Sequence, residues 1–552
     1  MKDFADFLDR LGYEPTRNGK LRLMSDYLRR TPDPERGYAL AALTGGLRFS
    51  RVRPGQIRKL AAERIDSVQF ALSHAYVGDL LETVSLLWPR GEGSYPRNSA
   101  PALSQIAETL IHDGKLDLPD PIADWLDNLD ESSRWVLLKL ITGGLRVGVT
   151  ARLAKTAAAA LGGRDVDEME ELWHELAPPY LELFDWLEGR GPRPEAHSPA
   201  PFRPMMLAHP LDEAELRNLD IEKLSAEWKW DGARVQAVLG RDGEAAVVKL
   251  YSREGEDITP AFPDLVKALL TVKARSFAID GELLICRDGA MQNFSLLQQR
   301  LNRKSVTPKL LRDFPAHIRA FDLLEWNGED LRQKTFDERR EKLARFVAEA
   351  RCENLDLSEP IGFTNWDFLR ALRQDPPDAD AAVVTGVMLK RRDGLYVGGR
   401  PPGEWRQWRR DPFTINAVLM YAQRGHGRAP LNLASNVLEC TFGVWREGDQ
   451  GRELAPAGKA ECRLADQEMA LLEKFVREHT INRFGPVREV AQGPNEGLVL
   501  EVGFEGLSRS TRHRSGLVLR RPRILRLRRD KQAAQADKIA TLERLLPNSG
   551  KA

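Results

Sequence analysis

Prolines recur at positions 192, 194, 199, 201 and 204, and the sequence changes character across them. Proline fixes φ and has no N–H to donate, so helix cannot run through this stretch and it reads as an interdomain linker. Upstream, residues 1 to about 195 carry apolar side chains at three- and four-residue spacing, with Pro89-Arg90-Gly91 and Asp113-Gly114-Lys115 as loops. Downstream, short alternating runs are divided by Asp231-Gly232, Asp242-Gly243, Asp280-Gly281 and Asp288-Gly289, which predicts strands joined by tight turns. A further break falls at Arg410-Asp411-Pro412. Beyond it the pattern predicts strands around 436–444 and 498–504, an amphipathic segment over Asp466–Glu478 and a final helix near Gln535–Leu546. The expected organisation is an all-α domain at 1–200, a mixed α/β (α+β) domain at 201–412 and a small, mainly β domain at 413–552.

The 552 residues suit three domains, and 42% hydrophobic with 30% charged residues excludes an intrinsically disordered chain. No run approaches the roughly 18 apolar residues of a membrane span. The N-terminus, Met1-Lys2-Asp3-Phe4-Ala5-Asp6, lacks the apolar centre of a signal peptide, so a cytoplasmic protein is expected. Cys286, Cys352, Cys440 and Cys462 are far apart with no CxxC pair, which argues against a disulfide framework or a zinc ribbon. The formal net charge is only +1, so any polyanion must be met by a local cluster of basic residues.

Leu43-Thr44-Gly45-Gly46-Leu47-Arg48 returns as Ile141-Thr142-Gly143-Gly144-Leu145-Arg146. The period is far too long for a solenoid and predicts a pair of similar elements. A Gly-Gly break exposes backbone N–H groups where a phosphate can sit beside an Arg. The alternative is a helix C-cap and turn used twice.

In Lys223-Leu224-Ser225-Ala226-Glu227-Trp228-Lys229-Trp230-Asp231-Gly232 the period is two. Leu224, Ala226, Trp228 and Trp230 point one way, while Ser225, Glu227, Lys229 and Asp231 point the other. Glu227 and Lys229 then lie about 6–7 Å apart on one face, enough to grip two parts of one ligand. Asp231-Gly232 turns the chain and Arg234 begins the return.

The full string Glu-x-Lys-x-Asp-Gly-x-Arg resembles motif I of the covalent nucleotidyltransferases, the ATP-dependent polynucleotide ligases and mRNA capping enzymes. Other strings follow in the family's order. Tyr251-Ser252-Arg253-Glu254-Gly255 resembles the next motif, whose Arg (Arg253) contacts the nucleotide or the nick. Ser276–Leu283 is a strand with Asp280 and Glu282 on one face, and it resembles motif III, whose Glu (Glu282) holds the ribose and helps organise a metal. His317–Leu324 resembles motif IIIa, whose aromatic, Phe321, stacks on adenine. The resemblance implies a bacterial-type ATP-dependent DNA ligase using ATP and Mg²⁺. Lys229 is its nucleophile, and Glu227, Arg234, Arg253, Glu282, Phe321, Arg400, Arg409, Arg528 and Lys531 bind the nucleotide.

Two later motifs depart from the family. Thr385-Gly386-Val387-Met388-Leu389-Lys390 has Thr where motif IV carries a metal-associated Glu, and a hydroxyl is a poorer ligand for a hard cation. Trp405-Arg406-Gln407-Trp408-Arg409 has Gln and Arg where motif V carries two lysines. Slow adenylation with a raised metal requirement is expected. At the other end Arg509, Arg512, Arg514, Arg520, Arg521, Arg523, Arg526, Arg528, Arg529 and Lys531 crowd together, a density suited to phosphate binding. Arg528-Arg529-Asp530-Lys531 resembles motif VI, which in the family lies on a C-terminal β-barrel, the OB-fold domain. The helical N-terminal part resembles the DNA-binding domain of larger ligases. The partners implied are nicked double-stranded DNA and ATP, with no membrane, for a monomer. An RNA ligase, or a DNA-binding relative without catalysis, are the other readings.

Overall fold

The computed structural model describes residues 1–47, 52–77, 79–89, 100–112, 119–145, 147–195, 198–301, 303, 305–376, 383–424, 438–448, 451–462, 464–484, 487–510 and 515–546. The chain divides into two compact units: Arg164–Leu176 with Pro192–Asp411, and Met1–Gly163 with Ala177–Gly191 and Pro412–Ala552.

The N-terminal part of the second of these is helical. Phe4, Phe7, Leu8 and Leu11 fall on one face of helix Lys2–Tyr13 and are buried, with the Phe7 and Tyr27 rings stacked 4.1 Å apart. The next helix, Arg17–Arg30, starts where Thr16 Oγ1 accepts from the Gly19 N–H at 3.1 Å. The repeated hexapeptide forms the same turn twice. Thr44 Oγ1 donates to the Leu40 carbonyl at 2.7 Å, and Thr142 Oγ1 to the Leu138 carbonyl at 2.7 Å. Gly45 (φ 74°) and Gly143 (φ 72°) are left-handed, a conformation glycine adopts without penalty. Each turn closes with a glycine N–H donating five residues back, Gly46 to Ala41 and Gly144 to Lys139, both at 2.8 Å. Ala42 and Leu43 of one turn and Leu145 of the other line a single cavity, so the two turns are neighbours. Arg48 and Arg146 lie outside the described residues.

The C-terminal part is a seven-stranded antiparallel sheet. Its long strand Phe413–Arg424 pairs with Leu438–Gly448 along one edge. On the other edge it pairs with Val487–Val490 through its second half and with Val499–Phe504 through its first. Sharing one strand among these partners curls the sheet into the half-barrel of an OB-fold around Ile415, Leu419, Phe442, Val502 and Phe504. The amphipathic segment is a helix, Asp466–Glu478, with Leu472 buried. The expected helix over Gln535–Leu546 is corrected to a 3₁₀ turn, Ala533–Gln535, and a short helix, Ile539–Glu543. The physical reason is competition for carbonyls: Trp445 donates from Nε1 to Ala533 at 2.6 Å and from its backbone to Asp537 at 2.9 Å.

The remaining unit holds two packed sheets. The first runs His209–Pro210, Trp405–Arg409, Val384–Arg391, Leu224–Trp230, Pro360–Ile361. The second runs Ala245–Ser252, Ala233–Asp242, Phe277–Arg287, Ala316–Trp326, Glu329–Asp330. Helices Pro263–Leu269 and Phe336–Ala350 cover the outer face of the second sheet through Leu265, Leu269, Leu343 and Phe346. Leu216 and Leu369 cover the outer face of the first, against Ala226, Val387, Leu389 and Trp408. Between the sheets lie Met206, Val238, Tyr251, Ala278, Leu324, Tyr396 and Trp405.

One expected turn is overturned. Asp280-Gly281 sits inside strand Phe277–Arg287, and its glycine is there because the neighbouring strand passes close: a Cβ would lie 2.6 Å from Ile318 Cγ2 and 2.9 Å from the Arg319 carbonyl. Among the described residues no helix is long and apolar enough to cross a membrane.

Candidate active site

Lys229 is half-buried on strand Leu224–Trp230, facing the seam between the two sheets. The strand next to it is in register, Glu227 with Met388 and Ser225 with Lys390, and the following one pairs Met388 with Gln407 and Lys390 with Trp405. Directly paired residues share a face, so Glu227, Lys390, Trp405 and Gln407 all lie on the side of Lys229.

Glu227 is 1% exposed and is not a solvated strand residue. Its Oε2 accepts from Lys390 Nζ at 3.1 Å, and both side chains are 2% exposed. The same ammonium donates to the Phe321 carbonyl at 3.1 Å and lies 4.7 Å from the Phe321 and Trp405 rings and 4.8 Å from Phe336. Burial pushes the Lys390 ammonium below its ordinary value, opposed chiefly by Glu227. Lys390 closes the string Thr385–Lys390, and its signal in the sequence is a cation ending an apolar run, a residue type seldom buried unpaired.

The second sheet brings Glu282 to the same seam. Asp231-Gly232 is the hinge, since a Cβ on Gly232 would lie 2.4 Å from the Leu283 carbonyl and 2.8 Å from Glu282 Cγ. That approach lets the Gly232 N–H donate to Glu282 Oε1 at 3.1 Å. Burial pushes the Glu282 carboxyl up to about 7, against the opposing pull of Lys229 and Arg234. Arg234 is committed to the protein. It forms an ion pair with the buried Asp280 at 2.6 Å, donates to the Met206 carbonyl and to Tyr396, and lies 5.4 Å from both the Phe321 and Trp405 rings. Arg253 and Arg400 are exposed at the mouth; Arg253 is held below its ordinary value by desolvation, with Arg234 and Arg400 adding repulsion.

The departures also have places. Thr385 Oγ1 donates to the Lys229 carbonyl at 3.1 Å, so the hydroxyl braces the backbone of the lysine. Gln407 is half-buried on the shared face and Arg409 is exposed opposite Gly386. Arg528 and Lys531 belong to the C-terminal half-barrel. There Arg528 binds Asp530 at 2.7 Å and Glu501 at 3.0 Å and donates to Asn416 Oδ1 at 3.1 Å, and Lys531 is half-buried.

The described geometry thus joins Glu227, Lys229, Arg234, Glu282 and Phe321 in one cleft between two mainly antiparallel sheets. Residues 205–407 match the family described as ATP dependent DNA ligase domain. A probable DNA ligase from Koribacter versatilis is 33% identical over 438 residues, 74% of this chain and 70% of that protein. DNA ligase 1 from Korarchaeum cryptofilum is 28% identical over 577 residues, 98% of this chain and 97% of that one. The solved structure described as Pmar-Lig_PreS3 has the same fold, with a TM-score of 0.56 at 15% identity over 95% of this chain and 99% of that one. These matches place the chain among the nucleotidyltransferases. It belongs to the ATP-dependent DNA ligase family, and its relatives are archaeal as well as bacterial.

Proposed function

We propose that this protein seals nicks in duplex DNA, acting as a monomer through a lysyl-AMP on Lys229. The observation that carries the reading is Lys229 at the seam of the two sheets, with the buried Glu282 carboxyl close enough to feel its charge. In the first step the neutral Lys229 amine attacks the α-phosphorus of ATP, forming a P–N bond and expelling pyrophosphate. The 5′-phosphate oxygen at the nick then displaces the lysine from AMP. Finally the 3′-hydroxyl attacks that 5′-phosphorus, closing the strand and releasing AMP.

Phe321 offers a ring for the adenine, Glu227 an oxygen for its edge and Glu282 an acceptor for the ribose. Arg253 and Arg400 supply positive charge at the mouth, where phosphates pass. Arg409 on the catalytic unit and Arg528 and Lys531 on the half-barrel are assigned to the ATP phosphates. Arg528 must exchange its carboxylate partners for phosphate oxygens, which suits a contact made and broken within one cycle.

Mg²⁺ is held by one or two carboxylates together with substrate phosphates and keeps several waters. Glu282 would provide one such carboxylate beside Lys229, and among the described residues no cluster of three His, Cys, Asp or Glu forms a complete protein cage. This donor set fits an ion that arrives with ATP and neutralises charge on its phosphoryl oxygens. The paired turns at Thr44–Leu47 and Thr142–Leu145 are assigned to duplex phosphates, with residues 1–200, 201–412 and 413–552 as the three working parts.

The test is labelling with α-³²P ATP and Mg²⁺ followed by denaturing electrophoresis. The wild-type band should retain label and Lys229→Ala should not, while nicked-duplex binding persists in the variant. Label in Lys229→Ala refutes the nucleophile, and an unlabelled wild type leaves a DNA-binding relative without catalysis.

A further inference from the structure

Two buried polar atoms on the Lys229 side of the cleft have no hydrogen-bond partner: Glu227 Oε1, an acceptor, and Arg340 Nη1, a donor. They lie 4.0 Å apart, too far to satisfy one another. The other Glu227 oxygen is taken by Lys390 at 3.1 Å, and the other Arg340 amino group lies 3.6 Å from the exposed Glu359. Folded proteins seldom bury a donor and an acceptor side by side with neither met, and such a pair is completed by a water, an ion or a ligand.

The backbone that carries Arg340 is well anchored. It belongs to helix Phe336–Ala350, which begins in a capping box between Thr335 and Glu338. The neighbouring Arg339 binds Asp322 at 2.8 Å with both side chains 0% exposed, and the Phe336 ring backs the Lys390 ammonium. A donor fixed by one helix and an acceptor fixed by one strand make a preorganised edge, as a binding site requires.

We propose that Arg340 is a specificity-determining residue of the nucleotide site, reading the base together with Glu227. Glu227 Oε1 accepts from the exocyclic N6 amino group of adenine, and Arg340 Nη1 donates to the adjacent ring nitrogen, N1 or N7. Adenine presents a donor beside an acceptor on both of those edges, which matches the pair. Guanine presents O6 at the corresponding position, an acceptor facing the Glu227 carboxylate, and is repelled. The inference rests on ATP being the substrate of Lys229 and adds the residue that reads the ring nitrogen.

The experiment is single-turnover adenylation of the full chain with ATP, 1-deaza-ATP and 7-deaza-ATP, run on wild type and on Arg340→Met. The deaza analogues replace one ring nitrogen by C–H and leave the amino group in place. In wild type, one analogue should raise the half-saturating concentration about tenfold, the value of one hydrogen bond to a charged group, with little change in the limiting rate. Arg340→Met should show that weakening already with ATP and no further loss with the same analogue. A merely structural Arg340 would weaken all three nucleotides by one factor and leave their ratio unchanged, which overturns the proposal. Equal reaction of wild type with all three nucleotides also overturns it, and that arm needs no variant to fold. Absence of any adduct with ATP itself is a separate outcome that removes the ligase reading first and this inference with it.

Discussion

Replacing Lys390 by methionine tests the buried ion pair that orders the base side of the cleft. Methionine keeps most of the apolar stem among the Phe321, Phe336 and Trp405 rings, so the cavity left behind is small. What is lost is the charge. The ammonium now bonds Glu227 at 3.1 Å with both side chains 2% exposed, and it also bonds the Phe321 carbonyl at 3.1 Å. Removing one partner of a buried pair costs about 3–5 kcal/mol, because the remaining charge is left without compensation. Arg340, at 4.0 Å from Glu227, is too distant to replace the bond and offsets only a part of this. The expected loss is therefore about 3 kcal/mol, near the lower end of that range. Hydrogen exchange of strand Val384–Arg391 is the assay, since it reports the local opening free energy of the strand that carries Lys390. Protection there should fall by roughly a hundredfold, at about 1.4 kcal/mol per tenfold. The double variant Glu227→Gln, Lys390→Met removes both charges and should recover at least half of the loss. A single variant that loses less than tenfold, or a double variant as weak as the single, refutes the reasoning.

Glu282 gives a pH dependence with a definite sign. Its carboxyl is raised to about 7 by burial, so the folded state binds a proton that the unfolded chain releases near 4.5. The resulting penalty is absent below pH 4.5, grows as pH rises through that window and is complete above 7. Nucleotide-free wild type should therefore lose roughly 3 kcal/mol relative to Glu282→Gln between those limits, read as the difference of their melting curves; a difference independent of pH refutes it. Thr385→Val removes only the hydroxyl that braces the Lys229 carbonyl, worth about 0.5–1.5 kcal/mol, so single-turnover adenylation should slow by no more than about tenfold. The triple change Thr385→Glu, Gln407→Lys, Arg409→Lys should instead speed adenylation and lower its Mg²⁺ requirement, with a preorganised charge worth up to about 10²–10³ in rate and non-additive effects. A native chain already fast at ordinary Mg²⁺, and no faster after the triple change, refutes that expectation.

The sequence by itself determined what local chemistry controls. The helical texture before the prolines, the strand of Lys229 and its turn, and the amphipathic helix Asp466–Glu478 follow from side-chain period and from Gly and Pro, which act within a few residues. The ordered strings also marked Glu227, Lys229, Arg234, Glu282 and Phe321 as one set, and the structure gathers them in one cleft. Tertiary structure alone decided which partner each charge takes. Lys390 bonds Glu227 from 163 residues away and Arg340 approaches it from helix Phe336–Ala350, and no periodicity encodes such a pairing. Asp280-Gly281 reads as a turn by composition, yet it is strand because a neighbouring chain passes too close for a side chain. Gln535–Leu546 reads as one helix, yet Trp445 takes the Ala533 and Asp537 carbonyls around its start. In each case a contact between distant segments outweighs a local preference worth at most about 1 kcal/mol per residue.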